Sequence, residues 1–276
     1  MAGRGEGPDF VEALARGLDI LACFNAERPW LTLTEVATAT GLARPTARRL
    51  LLTLGELGFI RSTGTRFTLT PRVLRLGMAF VSSLGLWDLA RPHLERLVAT
   101  TGESSSMSQL DGSDIVYVAR VSVPKLIGVQ VQIGTRYPAA YTALGKVLLS
   151  ALGPADLRNV LTEPSRSDLP RYPPRGTESF AAELRMISAR GWSLADEELA
   201  LGVRSVAVPV RDGTGQVRAA MNVTAHAVET SVETLTNDYL PLLLRTAGDI
   251  SADWALHQSR PFVELRRDQL EAAASG

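Results

Sequence analysis

Residues 30–70 are punctuated so closely that few folds accommodate them. Thr32-Leu33-Thr34-Glu35 reads as a capping box, in which Thr32 accepts from the Glu35 amide and the Glu35 carboxylate reaches back to the cap. The helix it opens, LTEVATAT, stops at Gly41, and Gly41-Leu42-Ala43 makes a tight turn between two helices. The next helix runs from about Arg44 to Leu57, with Pro45 in its first turn, where a missing amide proton costs little. Ala47, Leu50, Leu51, Leu54 and Leu57 form its buried face, and Arg48 and Arg49 point the opposite way. Gly58 ends it, and FIRSTGTRFTLT reads as two short strands around Thr63-Gly64-Thr65. An earlier helix, FVEALARGLDILACF, carries Val11, Leu14, Leu18, Leu21 and Ala22 as one apolar stripe, and Pro29 closes that region. Helices, a glycine turn and a terminal hairpin in this order predict a winged helix-turn-helix over residues 1–70.

Charge gives this module a purpose. Residues 41–75 contain seven arginines and one acidic residue, Glu56, for a local charge of +6, whereas the whole chain is neutral. The remainder therefore carries −6. Arg44, Thr46, Arg48 and Arg49 line the N-terminal turns of the second helix, and Arg61 and Arg66 stand on the hairpin. Such a helix fits a major groove, where arginine pairs with guanine or clamps phosphate, and the pattern leaves both roles open. A plain solvated arginine surface has the same composition, but the order of capped helix, turn and basic hairpin favours DNA binding. A non-specific DNA-packaging role fits poorly with zero net charge.

The 276 residues are 45% hydrophobic, long enough for more than one domain, and no apolar run approaches the length of a bilayer span. MAGRGEGPDF has no hydrophobic signal region, which predicts a cytoplasmic protein with no membrane partner. The one cysteine, Cys23, excludes an internal disulfide and reads as a small core residue. His93, His226 and His257 lie far apart without ligand spacing, so neither a metal nor a cofactor is expected.

Residues 71–90 open a helix with an apolar stripe of Leu74, Gly77, Met78 and Val81, a candidate linker or dimer contact; Gly85 and Pro92 interrupt or kink it and Gly102 ends it. Residues 91–258 form a second domain, and 259–276 a polar tail. SSSMSQL, Asp111-Gly112 and DIVYVARV form a hairpin, LIGVQVQI another strand, TALGKVLLSAL a buried helix and SFAAELRMISARG an amphipathic one. SVAVPVR and VRAAMNVTA pair about a DGTG turn, and a long helix from about Glu233 to Gln258 follows, interrupted early by Pro241. The fold class is α+β with a mostly antiparallel sheet.

Catalytic signatures are missing: there is no G-x-S-x-G, H-E-x-x-H or phosphate loop. Asp196-Glu197-Glu198 fits acid–base work, arginine pairing or plain solvation, and nothing nearby completes a catalytic set. Met221, Val223 and Ala225 share an apolar strand face, while Asn222 and Thr224 share the other; in the partner strand Ser205 and Ala207 are small. A sheet face of this kind carries a ligand pocket or meets water. Arg120, Arg136 and Arg204 are candidates to hold a carboxylate bidentately, and each also fits a structural role.

Four blocks in order, LTLTEVATATGLARPTARRLLLTLGELGFI, ARPHLERLVATTGESSSMSQLDGSDIVYVARV, YPAAYTALGKVLLSAL and RGWSLADEELALGVRSVAVPVRDGTGQVRAAMNV, resemble the IclR-type transcriptional regulators over about Phe10 to Trp254. ESSSMSQLDGSDIVYVARV and ELALGVRSVAVPV look most like those governing aromatic-acid breakdown (protocatechuate and 4-hydroxybenzoate) through the β-ketoadipate pathway. The resemblance implies a winged helix-turn-helix, a GAF-like effector domain, and a homodimer or dimer of dimers on double-stranded operator DNA. It implies effector contacts at Ala143, Leu144, Ala195, Ser205, Asn222 and Thr224. Relatives that bind small oxoacids often have an acid where Ala195 stands and a cysteine where Ser205 stands. These departures argue against a glyoxylate- or pyruvate-like ligand and fit a larger organic acid, such as an aromatic one. The alternatives are a regulator answering a small oxoacid in another pathway and, less well supported, an enzyme carrying a DNA-binding-like domain.

Overall fold

The computed structural model describes residues 7–25, 27–77, 86–124, 131–167, 169 and 177–259. The chain folds as two compact units, one before residue 85 and one from it onward.

In the first unit, α1 (Glu12–Ala22), α2 (Leu33–Thr40) and α3 (Arg44–Glu56) pack with a three-stranded antiparallel sheet. Its strands are β1 (Leu31–Thr32), β2 (Ile60–Thr63) and β3 (Arg66–Leu69), in the order β1-β3-β2. The Thr32–Glu35 capping box is formed in full: the Glu35 amide donates to Thr32 Oγ1 at 3.3 Å, and the Thr32 amide donates to Glu35 Oε2 at 2.7 Å. Gly41 takes a left-handed backbone (φ 68°), which reverses the chain between α2 and α3 at no steric cost to a residue without Cβ. Ile20, Phe24, Leu31, Val36, Ala47, Leu51, Leu54 and Ile60 form the core.

The α1 stripe is only partly covered: Val11, Leu14 and Leu18 are 61%, 63% and 53% exposed, Leu21 packs against the core, and the helix is anchored by Ile20 with Phe24 just beyond its end. One expectation for this unit is corrected. Leu57 is exposed because α3 stops at Glu56 and Leu57 serves as its C-cap, with Leu50 only partly covered. Cys23 is partly buried, and burial pushes its thiol pKa up. The connector opens with a 3-10 turn at Pro71–Val73, capped by Thr70, whose hydroxyl accepts from the Arg72 amide. Met78 and Val81 lie outside the described residues, as do most of LIGVQVQI and the tail from 260.

The second unit is a six-stranded antiparallel sheet in the order β6-β5-β4-β9-β8-β7. The strands are β4 (Ser104–Asp111), β5 (Asp114–Val121), β6 (Arg136–Pro138), β7 (Ser193–Asp196), β8 (Val203–Arg211) and β9 (Val217–His226). α4 (Leu86–Thr101) and a C-terminal helix pack on the face bearing Met107, Val208 and Met221. α5 (Ala143–Ser150) packs on the other face, against Ala207 and Ala220, with α7 (Thr177–Arg190) outside it. Between them in sequence comes α6 (Pro154–Thr162), a helix the pattern reading did not single out. α4 runs through Pro92 without a break. The C-terminal helix begins with a turn at Val232–Thr234 and a π-helical turn at Leu235–Tyr239, then continues as α8 (Leu240–Ser259). Pro241 has no amide to give the preceding turn, and it directly follows this widened turn, where the Leu240 amide donates to the Leu235 carbonyl.

Candidate functional site

The first unit presents a basic face. Arg44, Arg48 and Arg49 on α3 are exposed and Thr46 is partly so, while Ala47, Leu51 and Leu54 on the opposite side are buried. Arg61 on β2 and Arg66 on β3 are also exposed. None of these five guanidiniums forms an ion pair with a described carboxylate, so their charge is available to an external anion. The Arg61 guanidinium stands 5.7 Å from the Trp30 ring centroid, a stacking contact that limits its rotamers. Arg72 lies over Phe59 at 5.4 Å and so braces the base of the hairpin. The face combines the exposed arginines of α3 with those of the β2–β3 hairpin.

The second unit contains a cavity of about 450 Å³ between the sheet and the start of α5. Its floor follows from alternation along the strands. Ala195 pairs with Ser205, Ser205 with Thr224, and Thr224 with Ser104, so one row of small residues crosses four strands. The adjacent row is Ala207, Asn222, Ser106 and Arg120. Residues this small cannot fill the space beneath α5, and the void is the result. Thr142 caps α5 by accepting from the Gly145 amide at 2.9 Å, and Ala143 and Leu144 lie at the cavity wall. The first amides of a helix have no partner within it and favour an anion.

The polar floor is one network. Asn222 Nδ2 donates to Ser205 Oγ and Thr224 Oγ1, both at 2.8 Å, and Asn222 Oδ1 accepts from the Ser106 amide at 3.0 Å. Arg120 Nη1 donates to Ser106 Oγ at 2.9 Å. Burial lowers the Arg120 pKa, partly offset by Tyr117 and Tyr137, and a guanidinium still remains charged. Tyr117 and Tyr137 meet edge to face at 5.7 Å between centroids and form an aromatic wall. Burial, reinforced by Tyr137, pushes the Tyr117 phenol far up, so it stays neutral at physiological pH.

Ala143, Leu144, Ala195, Ser205, Asn222, Thr224 and Arg120 thus converge on one cavity. Arg204 does not. It alternates with Ser205, lies outside the cavity, pairs with Asp196 and donates to the carbonyls of Ala227 (3.1 Å) and Thr230 (3.2 Å). Arg136 is likewise engaged with Asp111. The acidic run divides as well: Asp196 pairs with Arg204, Glu197 accepts from the Gly202 amide, and Glu198 meets a lysine. That lysine, Lys146, is buried on α5, with Nζ 2.6 Å from Glu183 and 2.5 Å from Glu198. It ties the loop after β7 to α5 and α7. Glu197 in this loop has a left-handed backbone (φ 55°), a strained conformation of the kind found at ligand clamps.

Pattern reading missed Tyr117, Tyr137, Val131, Leu199 and Lys146. Tyr117 was hidden by a bulge: Ala119 pairs with Met107 but Tyr117 pairs with Ser108, leaving Val118 as an extra residue. The bulge reverses the alternation and puts Tyr117 on the same face as Arg120. The GK of TALGK was a signal for Lys146, a charge inside an apolar helix. Among the described residues no group of three or more His, Cys, Asp or Glu side chains converges as a metal site, and no helix is long and apolar enough to cross a membrane.

Residues 13–64 match the IclR helix-turn-helix domain, and residues 78–252 match the bacterial transcriptional regulator IclR C-terminal domain. The chain is similar to the Pca regulon regulatory protein of Pseudomonas putida, 38% identical over 88% of this chain and 84% of that one. It is also similar to the p-hydroxybenzoate hydroxylase transcriptional activator of Acinetobacter baylyi, 34% identical over 88% of this chain and 91% of that one. A crystal structure of an IclR homolog from Microbacterium hydrocarbonoxydans complexed with 4-hydroxybenzoate aligns with a TM-score of 0.73 at 25% identity, covering 88% of this chain and 99% of that one.

Proposed function

The chain belongs to the IclR family of bacterial transcriptional regulators, and on that premise we propose that an aromatic acid of the β-ketoadipate type of catabolism controls its hold on operator DNA. The observation that carries this reading is the floor of small polar residues, Ser205, Asn222 and Thr224, beside the amides of Ala143 and Leu144 and an aromatic wall. About 450 Å³ suits one substituted ring rather than a large cofactor. Two relatives bear names tied to pca genes and p-hydroxybenzoate, and a solved homolog holds 4-hydroxybenzoate. Ala195 in place of an acid and Ser205 in place of a thiol suit the same ligand class.

Arg44, Thr46, Arg48 and Arg49 bind the major groove and Arg61 and Arg66 the flanking backbone, in the cytoplasm where the chromosome lies. Two or four copies assemble on a palindromic or repeated operator, one head per half-site. The exposed Val11, Leu14 and Leu18 stripe on α1 supports self-association of the heads. The effector acts by binding two states of the assembly unequally, which shifts its affinity for DNA. A thermal-shift series tests the ligand class: 4-hydroxybenzoate or protocatechuate raises the melting temperature by binding the folded state, and pyruvate and glyoxylate do not. A shift with the small oxoacids alone overturns the aromatic reading. A footprint spanning two half-sites tests the assembly.

A further inference from the structure

We propose that Arg120 holds the carboxylate of the bound acid, with the ring lying across β4 and β9 toward the hydroxyl of Ser205. This rests on the aromatic-acid reading of the cavity. Of the three candidate arginines, Arg136 and Arg204 already have carboxylate partners outside the cavity. Arg120 lines the cavity, and its hydrogen bond goes to the neutral hydroxyl of Ser106 from one nitrogen, Nη1. It has no ion pair among the described residues. A partly desolvated guanidinium without an anion is costly, and a ligand carboxylate supplies the missing partner in fork geometry.

The far end of the cavity also asks for an acceptor. Ser205 Oγ accepts from Asn222 Nδ2 at 2.8 Å and from Thr224 Oγ1 at 3.3 Å. Both lone pairs are then occupied, and among the described residues its own proton has no recorded acceptor. Arg120 and Ser205 thus offer donors at opposite ends of the polar floor. The guanidinium rests over Ser106 on β4, and Ser205 on β8 is two strands further on, roughly 9–10 Å. One benzene ring with an oxygen at each end, hydrogen-bonded at both, bridges that interval. The bulge at Val118 completes the site by turning Tyr117 onto the same wall, where its ring flanks the ligand.

Calorimetric titration of wild type and Arg120→Gln with 4-hydroxybenzoate and its neutral analogue 4-hydroxybenzamide tests the assignment. Wild type is expected to prefer the acid by about 10- to 100-fold, the range for a hydrogen-bonded charge, and Arg120→Gln to lose that preference. An undiminished preference in Arg120→Gln overturns the assignment while leaving the aromatic reading intact. Failure of wild type to bind either compound overturns the aromatic reading and the assignment with it. A second readout avoids dependence on the variant's folding. The Arg120 side-chain Nε–H resonance of wild type, assigned with Arg120→Lys, shifts with 4-hydroxybenzoate and not with 4-hydroxybenzamide. A resonance unmoved at saturating acid overturns the assignment.

Discussion

Gly145→Ala sets two physical rules against each other. Gly145 lies in the first turns of α5, and helix propensity alone makes alanine there stabilising by about 0.8–1.0 kcal/mol. Packing gives the opposite sign. A Cβ at this position would stand 2.1 Å from the Ala139 carbonyl oxygen, 2.3 Å from its Cα and 2.5 Å from its carbonyl carbon. These are backbone atoms of a buried turn, so no side chain can rotate away. Overpacking costs about 1–3 kcal/mol, more when backbone must move, and contacts this short belong at the upper end. The net expectation is destabilisation by about 2 kcal/mol, or roughly 4–8 °C in melting temperature for a unit of this size. Tyr141 and Thr142 line the cavity next to the displaced turn, so affinity for 4-hydroxybenzoate falls with stability. Calorimetric melting with and without ligand measures both. A melting temperature equal to or above that of wild type refutes the seating of α5 against Ala139.

Other expectations follow from the same contacts. Lys146→Met strands two partly exposed carboxylates and is expected to cost about 2–3 kcal/mol in urea unfolding, less than for a fully buried pair; adding Glu198→Gln recovers part of that loss. Arg48→Ala with Arg49→Ala is expected to weaken operator binding and, for phosphate contacts, to reduce the salt-dependence slope by about 0.9 per arginine; unchanged affinity removes α3 as the DNA-reading helix. The backbone and side chain of Thr32 hold the Glu35 carboxyl below its usual pKa. With the folded value depressed, the capping box contributes at neutral pH and is lost as pH falls through the folded value. Stability of the first unit in Glu35→Gln is therefore expected to be lower than wild type at neutral pH and to converge with it in acid, as thermal melts across pH would record.

Much of this fold was legible because the relevant signals are local. The capping box, Gly41 and Pro45 act within four residues of themselves, and α2 and α3 fall where they indicate. The polar face of β9 was readable from alternation alone, since Asn222 and Thr224 lie in an unbroken stretch of strand. β5 defeated the same rule because its bulge depends on pairing with β4, which no single-strand pattern contains. Arg204 follows a related rule: its charge fits either a ligand contact or a structural role, and alternation with Ser205 turns it to the other face, where it pairs with Asp196. The α1 stripe shows the limit of amphipathicity, which reveals an apolar face without revealing what covers it. Lys146 needed tertiary information, since its two carboxylate partners lie 37 and 52 residues away.

The most direct test of the coupling between head and cavity is operator affinity with and without 4-hydroxybenzoate, for wild type and Asn222→Leu. The DNA would be a duplex selected from random sequence by wild type, and fluorescence anisotropy would be read at fixed salt. The acid is expected to change wild-type affinity by about 5-fold or more. Asn222→Leu is expected to bind DNA as ligand-free wild type does and to ignore the acid, because its cavity floor has lost the amide that organises Ser205 and Thr224. Wild-type affinity independent of the acid, or a full response retained in Asn222→Leu, contradicts the account.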